Sequence, residues 1–536
     1  MSTLPFINPA TGEAFGEVQS ATTEDVTRAI KDMRQAFQVW RKRPLKDRIT
    51  VLRQLQEVII DSLDEITAVL NQDTGKSRQD GLIEVMMTVD RLHQYYRNAP
   101  VWLKRRRVPP GLYVFKSYYK EPHPYGVVAV IGPWNYPFDL TMPVVCSALL
   151  AGNTVVLKPS EVTAATGVLV ESLIKRVPEL SPFVRVLHGG PDIGAAVVQS
   201  SPDLVFLTGS TGTGRKIAKA TAETMTPFIA ELGGKDPMIV LESADIAAAA
   251  KWGTWGAFYN TGQTCMGIER VYVVESVYDE FLRQAVSEAK QIKQGYVADI
   301  HNENNMGPLT FERQLQIVQD QLDDALAKGA RIIYGGKIDG LFVEPTIIVD
   351  VTHDMKLMQE ETFGPIMPVM KVKDETEALW LANDSVYGLS ASVWSNNMRQ
   401  AKRVAHRLDV GSVNVNDAIS HYPVSLLPFG GVKQSGNART HGKEEVLQFT
   451  QMRSYAIGRP PLPIDLATRM REPNHYKLGA AIMRMSFGVT PRQRLQPLTD
   501  ALTDEELQPD MGKIARLAGA ATAVAALALT LFRAKK

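Results

Sequence analysis

Cysteine is nearly absent from this chain. Cys146 and Cys265 are the only two in 536 residues, which excludes a disulfide framework and suits a reducing compartment. Net charge is nearly absent as well. The 59 Lys and Arg residues balance 58 Asp and Glu, for a formal charge of +1, so no global field points to nucleic acid. The start, Met1-Ser-Thr-Leu-Pro-Phe, has no basic stretch leading into an apolar core, so no secretory signal is expected there. No internal repeat or low-complexity segment precedes residue 510. What is present describes an ordinary globular protein, 45% hydrophobic and 22% charged. A chain of this length should split into two or more domains.

Residues 5–20 read as short strands around the turn Asn8-Pro9-Ala10-Thr11-Gly12. From there the pattern is helical, with Thr23 as N-cap. Val26, Ile30, Met33, Phe37 and Trp40 lie on one face, and Ile49, Leu52, Leu55 and Ile59 on one face of the next helix. Helical patterning continues to about Asn98. Arg105-Arg106-Arg107 reads as a solvated loop, and Lys116 to Lys120 as an edge strand or hairpin. At Gly126 the character changes. Gly126-Val-Val-Ala-Val-Ile-Gly132 is a continuous apolar run of the kind buried on both faces of a parallel sheet. Strands near 154–157, 183–187 and 204–207 then alternate with helices, which predicts a doubly wound α/β sheet. The glycine-rich turn Gly209-Ser210-Thr211-Gly212-Thr213-Gly214 presents a helix N-terminus to an anion, although its glycines do not match the dinucleotide fingerprint spacing. A second α/β pattern runs from Pro237-Met-Ile-Val-Leu241 to Gly411-Ser-Val-Asn-Val-Asn416, its last helix at Thr376 to Ala382.

Cys265 sits in Asn260-Thr-Gly-Gln-Thr-Cys-Met-Gly267, between a helical segment and a β-rich run. A lone cysteine is by itself most often packing. Its company changes that reading. Pro133-Trp-Asn-Tyr-Pro137, Lys158-Pro-Ser-Glu161, Phe206-Leu-Thr-Gly-Ser-Thr211, Glu231-Leu-Gly-Gly-Lys235, Gly262-Gln-Thr-Cys265, Glu361-Thr-Phe-Gly-Pro365 and Pro428-Phe-Gly-Gly431 follow in order. With these motifs the chain resembles the NAD(P)-dependent aldehyde dehydrogenase superfamily over roughly residues 5 to 460. Trp134-Asn-Tyr-Pro-Phe-Asp-Leu140 is most similar to its fatty and aromatic aldehyde branch.

The resemblance implies an α/β fold: a Rossmann-type doubly wound dinucleotide-binding domain (1–107 and 125–232), a second α/β catalytic domain (233–443) and a small β oligomerisation flap (108–124 and 444–460). It implies Cys265 as nucleophile, with Asn135 and the Cys265 backbone N–H as oxyanion donors. Glu231 matches the general base that activates water, and its presence favours hydrolysis over transfer to coenzyme A. Lys235 is either a surface residue or a support for a proton relay. Lys158 and Glu161 fall on the adenosine ribose, which favours NAD while leaving NADP possible. Gly209 and Ser210 fall at the pyrophosphate, Glu361 at the nicotinamide ribose, Phe363 beside the nicotinamide, and Trp134 near the cofactor. No metal is implied. With Met266 after the nucleophile and no aromatic in 139–145, the expected tunnel is wide and apolar, and Asp139 there has no evident role.

Past Tyr455 the resemblance fades. Residues 461–512 read as an extension or linker. Leu517 to Phe532 is 16 residues without a charge, about 24 Å as a helix against a hydrocarbon core of about 30 Å. Lys513, Arg516, Arg533, Lys535 and Lys536 flank it and can snorkel. The alternatives are a C-terminal membrane anchor, with the catalytic body on the cytoplasmic side, and an Ala-rich helix packed on protein. The anchor (513–536) is the reading preferred. The expected activity is NAD-linked oxidation of a long-chain or bulky apolar aldehyde by a homodimer or homotetramer. The rivals are a coenzyme A-acylating dehydrogenase and a catalytically silent, membrane-tethered binding protein.

Overall fold

The apolar run after Gly126 is a strand buried on both faces. β1 (Val127–Ile131), β2 (Thr154–Lys158), β3 (Val184–Val186), β4 (Leu204–Gly209) and β5 (Phe228–Leu232) form a parallel sheet in the order β3-β2-β1-β4-β5. Alternate residues of β1 serve different cores, as the twofold period of a strand requires. Val127, Ala129 and Ile131 pack with Val26, Ile30 and Met33 of helix Thr23–Trp40. Val128 and Val130 pack on the other side with Cys146 and Leu149 of helix Met142–Ala151. Cys146 is therefore packing, and burial pushes its thiol up to about 12.

β6 (Asp236–Val240), β7 (Ile268–Val274), β8 (Arg331–Tyr334), β9 (Thr346–Val349), β10 (Ile366–Val372), β11 (Ser390–Trp394) and β12 (Ser412–Val415) form the second sheet. Its order is β8-β9-β10-β7-β6-β11-β12, with β8 antiparallel to β9 and the other pairs parallel. β5 passes directly into β6 through Gly233-Gly234-Lys235. The carboxyl end of one sheet is thus chained to the amino end of the other, and this junction gathers the chemistry.

The computed structural model describes residues 2–111, 116–300, 303–458, 471 and 475–503. The chain divides into two compact units. Of the described residues, one unit holds 2–104, 122–300 and 303–452, including both large sheets; the other holds 105–111, 116–121, 453–458, 471 and 475–503. The second unit carries most of a three-stranded sheet in which Lys116–Pro124 lies between Arg106–Val108 and Thr450–Gly458. Lys116 to Lys120 is accordingly a central strand, not an edge. The arginine triplet is not a loop: Arg106–Val108 is paired, and the Arg105 guanidinium stands 4.1 Å and 4.8 Å from the ring centroids of Tyr119 and Tyr455.

Three further expectations are corrected. The first N-cap is Thr22, whose Oγ1 accepts from the Asp25 N–H while Asp25 accepts from the Thr22 N–H. That reciprocal box outcompetes a cap at Thr23. Helices Met398–Ala405 and Gly442–Gln448 follow the one expected to be last. β10, absent from the sequence reading, sits near the middle of the second sheet. Within the stretch read as a linker, helices His475–Phe487 and Pro491–Thr503 occur. The hydrophobic tail, 513–536, lies outside the described residues. Among the described residues, no helix is long and apolar enough to cross a membrane.

Candidate active site

In a doubly wound sheet the ligand crevice opens beyond the carboxyl ends of the strands, where the strand order reverses. Here that point lies between β1 and β4. Trp134 and Asn135 follow β1, Lys158 ends β2 with Glu161 three residues on, and Gly209 ends β4. Ser210 caps helix Thr211–Thr224, its Oγ accepting from the Thr213 N–H at 3.2 Å. Lys158 is buried and ion-paired to the half-exposed Glu161. Glu361, just before β10, accepts from the Gly234 N–H at 3.0 Å. A side chain at Gly233 would strike its carboxylate, at 2.2 Å from an added Cβ. Trp134 meets Phe363 edge to face at 5.3 Å and Phe311 at 4.9 Å. A crevice with a helix N-terminus, a carboxylate beside a buried lysine, and an aromatic wall fits a dinucleotide.

The cysteine is carried on a strained turn. Helix Ile246–Phe258 gives way to Asn260, Thr261 and Gly262, with φ of +53°, +59° and +71°. Two successive non-glycine residues in this region persist only where surroundings hold them. Thr261 Oγ1 donates to the Gly307 carbonyl at 3.1 Å, and Gln263 Oε1 accepts from the Thr310 N–H at 2.9 Å. An added Cβ on Gly262 would lie 2.2 Å from the Gly364 carbonyl oxygen. The Asn135 amide donates to the Gln263 carbonyl at 3.0 Å, which holds it against the cysteine loop with its second N–H to spare.

Glu231 closes the group. It is buried, and its Oε1 has no hydrogen-bond partner. Burial pushes its carboxyl up to about 8, opposed only in part by a contact from the Cys265 thiol. Burial also holds the Cys265 thiol well above its usual range, aided by the carboxylates of Glu231, Asp236 and Glu361. Burial thus favours a thiol beside a carboxyl, and the sulfur becomes the nucleophile only on losing its proton. Around them lies an apolar cluster: Tyr136, Leu140, Met266, Leu389, Ile419, Tyr422 and Phe429, with Met87, Tyr259 and Cys265 at its margin.

Comparison with known proteins decides the family. The aldehyde dehydrogenase family model matches residues 1–455. The chain belongs to the aldehyde dehydrogenase family. A 4,4'-diapolycopene aldehyde oxidase of Methylomonas sp is 39% identical over 484 residues, 90% of this chain and 89% of that protein. A Mycobacterium ulcerans protein, assigned by name alone as succinate-semialdehyde dehydrogenase [NADP(+)] 2, is 36% identical over 467 residues, 85% and 89% of the two. The solved NADP-dependent glyceraldehyde-3-phosphate dehydrogenase of Bacillus halodurans, complexed with NADP, superimposes with a TM-score of 0.81 at 30% identity, covering 85% of this chain and 96% of its own. The protein is an NAD(P)-dependent aldehyde dehydrogenase, with an α/β fold.

In this aldehyde dehydrogenase Lys235 is neither on the surface nor free. Its ammonium is buried, 2.7 Å from Glu269 and 2.8 Å from Thr362 Oγ1. Glu269 in turn accepts from the N–H groups of Thr362 and Phe363. Lys235 thus braces the loop that carries Glu361 and Phe363. Asp139, unexplained in the sequence, is fully buried and 2.9 Å from Arg91. It also accepts from Thr88 Oγ1 at 3.0 Å and from the Tyr422 hydroxyl at 2.9 Å. Sequence reasoning missed Lys76, Glu84, Arg91 and Tyr422. The available signal was polar residues at helical spacing, Glu84-Thr88-Arg91-Tyr95, on a face that should be apolar. Asp139→Asn strands the Arg91 charge in the core. It should cost about 3–5 kcal/mol, read as a lowered urea midpoint with unchanged m-value.

Proposed function

We propose that this enzyme oxidises long-chain or bulky apolar aldehydes to carboxylic acids, with NAD preferred over NADP. The observation that carries the reading is the buried carboxyl of Glu231 beside the Cys265 thiol. In its ionised form Glu231 takes the thiol proton, and the sulfur adds to the aldehyde carbonyl. The oxyanion is met by the spare N–H of Asn135 and the backbone N–H of Cys265. When bound in the crevice, an oxidised nicotinamide would be held by Lys158, Glu161, Gly209, Ser210, Glu361, Trp134 and Phe363, and would supply the hydride acceptor needed to oxidise the Cys265 adduct to a thioester. Once Glu231 has released the thiol proton to solvent, its carboxylate takes a proton from water, the hydroxide adds to the thioester carbonyl, the carboxylic acid leaves, and the Cys265 thiolate regains a proton.

Substrate class follows from the apolar and aromatic cluster at whose margin Cys265 sits. The guanidinium nearest them in the hydrogen-bond network, Arg91, is answered by Asp139 and lies 4.0 Å from Glu445. Lys76, which faces the Tyr136 ring of the cluster, is likewise paired with Glu84, so neither cation is free to seat a second carboxylate or a phosphate. That agrees with the relative named for 4,4'-diapolycopene aldehyde more than with the one named for succinate semialdehyde. Glu161 beside the ribose favours NAD, since a carboxylate repels a 2′-phosphate. The oligomerisation flap, a homodimer or homotetramer, and a C-terminal anchor in 513–536 belong to the same proposal. The anchor is supported by the uncharged run Leu517 to Phe532 between basic residues.

The test is a turnover series from propanal to dodecanal with NAD or NADP and no coenzyme A. Acid should form, with kcat/KM rising at least tenfold from propanal to decanal and higher with NAD. Dependence on coenzyme A would remove the hydrolytic reading. A preference for succinate semialdehyde would remove the apolar one.

A further inference from the structure

Lys76 is a buried cation with no place in the chemistry above, yet it touches the segment that carries the oxyanion donor Asn135. Its ammonium lies 2.7 Å from Glu84, donates to the Asn135 carbonyl at 2.9 Å, and stands 4.4 Å from the centroid of the Tyr136 ring. Both members of the ion pair are buried. Glu84 uses its other oxygen to accept from the N–H groups of Phe138 and Asp139 at 2.9 Å and 3.1 Å. The segment 135–139 is therefore held at its first residue by Lys76 and at its last two by Glu84. On the far side, the Tyr136 hydroxyl shares a hydrogen bond of 3.0 Å with Thr264 Oγ1, next to Cys265. Asn135 itself reaches the same loop through the Gln263 carbonyl.

We infer that Lys76 and Glu84 are positioning residues that set both oxyanion donors, the Asn135 amide and the Cys265 backbone N–H, in one register. The physical reason is that oxyanion stabilisation needs donors fixed before charge develops, and errors of well under 1 Å are costly. A lone backbone turn such as Asn135-Tyr136-Pro137 offers little stiffness. A buried ammonium with a carboxylate, a carbonyl and an aromatic face around it has few other places to go. This inference rests on the reading of Cys265 as nucleophile and Asn135 as donor.

The experiment separates the two. Lys76→Met/Glu84→Gln removes both charges together, so no buried ion is left unpaired, and the glutamine oxygen can still accept from Phe138 and Asp139. Single-turnover hydride transfer with saturating decanal and NAD should fall about 100-fold. Alkylation of Cys265 by iodoacetamide, which forms no oxyanion, should stay within about threefold, as should NAD affinity. Tyr136→Phe keeps both charges, folds more safely, and should slow hydride transfer about tenfold with alkylation unchanged. Hydride transfer within threefold of the parent in either variant overturns the inference. So does a parallel loss of alkylation, which would mean a generally loosened loop. Turnover retained by Cys265→Ala would instead strike the underlying reading.

Discussion

Cys265→Ala abolishes aldehyde-dependent reduction of NAD, by at least about 10⁴-fold in kcat, and leaves NAD affinity within about twofold. The magnitude is that of removing a nucleophile that acts as one unit with its base and its oxyanion donors. The retained affinity follows from where the residue sits. The crevice residues lie at or just after the carboxyl ends of β1, β2 and β4 and before β10, while Cys265 sits at the margin of an apolar cluster. Its sulfur contacts Met266 Sδ at 3.9 Å and the Glu231 carboxyl, both weakly, so the fold loses little. Nor can the second thiol stand in. Cys146 is fully buried in a helix packed on the first sheet, and its thiol is pushed up to about 12. The check is stopped-flow NADH absorbance beside a fluorescence titration with NAD. Residual turnover above about 1% would remove Cys265 as nucleophile.

What the sequence made legible depended on how local the signal was. Val127–Ile131 was readable because a strand buried on both faces must be apolar at every position. Val26, Ile30, Met33, Phe37 and Trp40 were readable because a helix on a core repeats its apolar face. β10 escaped because Ile366-Met-Pro-Val-Met-Lys-Val372 has a proline and two methionines where β-branched residues are the usual mark. Among site residues, the family motifs supplied positions but no environment. That Glu231 would be without a partner for one oxygen, or that Lys235 would be spent on Glu269, depends on residues 30 to 130 positions away in sequence. The same holds for Asp139. Its partners Arg91 and Tyr422 come from chain segments that no sequence pattern ties to the Trp134–Leu140 turn. Long-range polar pairing is the part of a fold that single-sequence periodicity cannot carry, because it leaves no period.

Glu231→Gln should split the reaction in two. The first turnover survives in part, because addition and hydride loss lean on the oxyanion donors, and a burst of NADH approaching one equivalent per site appears. Steady-state turnover then falls about 10²–10⁴-fold, as expected when a positioned base is withdrawn from water. The pH dependence carries a sign that follows from burial. The base is the ionised carboxyl, which burial holds at about 8. Hydrolysis-limited turnover of the parent should therefore climb with pH through about 8 and level off above it, and the glutamine variant should lose that climb. Stability should move the other way. The folded protein keeps a proton that the unfolded chain releases near 4.5, so Glu231 removes stability progressively as pH rises from about 4.5 to about 8, and the full penalty stands above that. Glu231→Gln should thus melt higher than the parent at pH 9, with the gap closing toward pH 5. A variant that turns over slowly, bursts, and is more heat-stable only on the alkaline side is what a buried carboxyl acting as base requires. Equal steady-state rates in the two proteins across pH 6 to 9 would take Glu231 out of the mechanism, and an equal melting profile would take it out of the low-dielectric site.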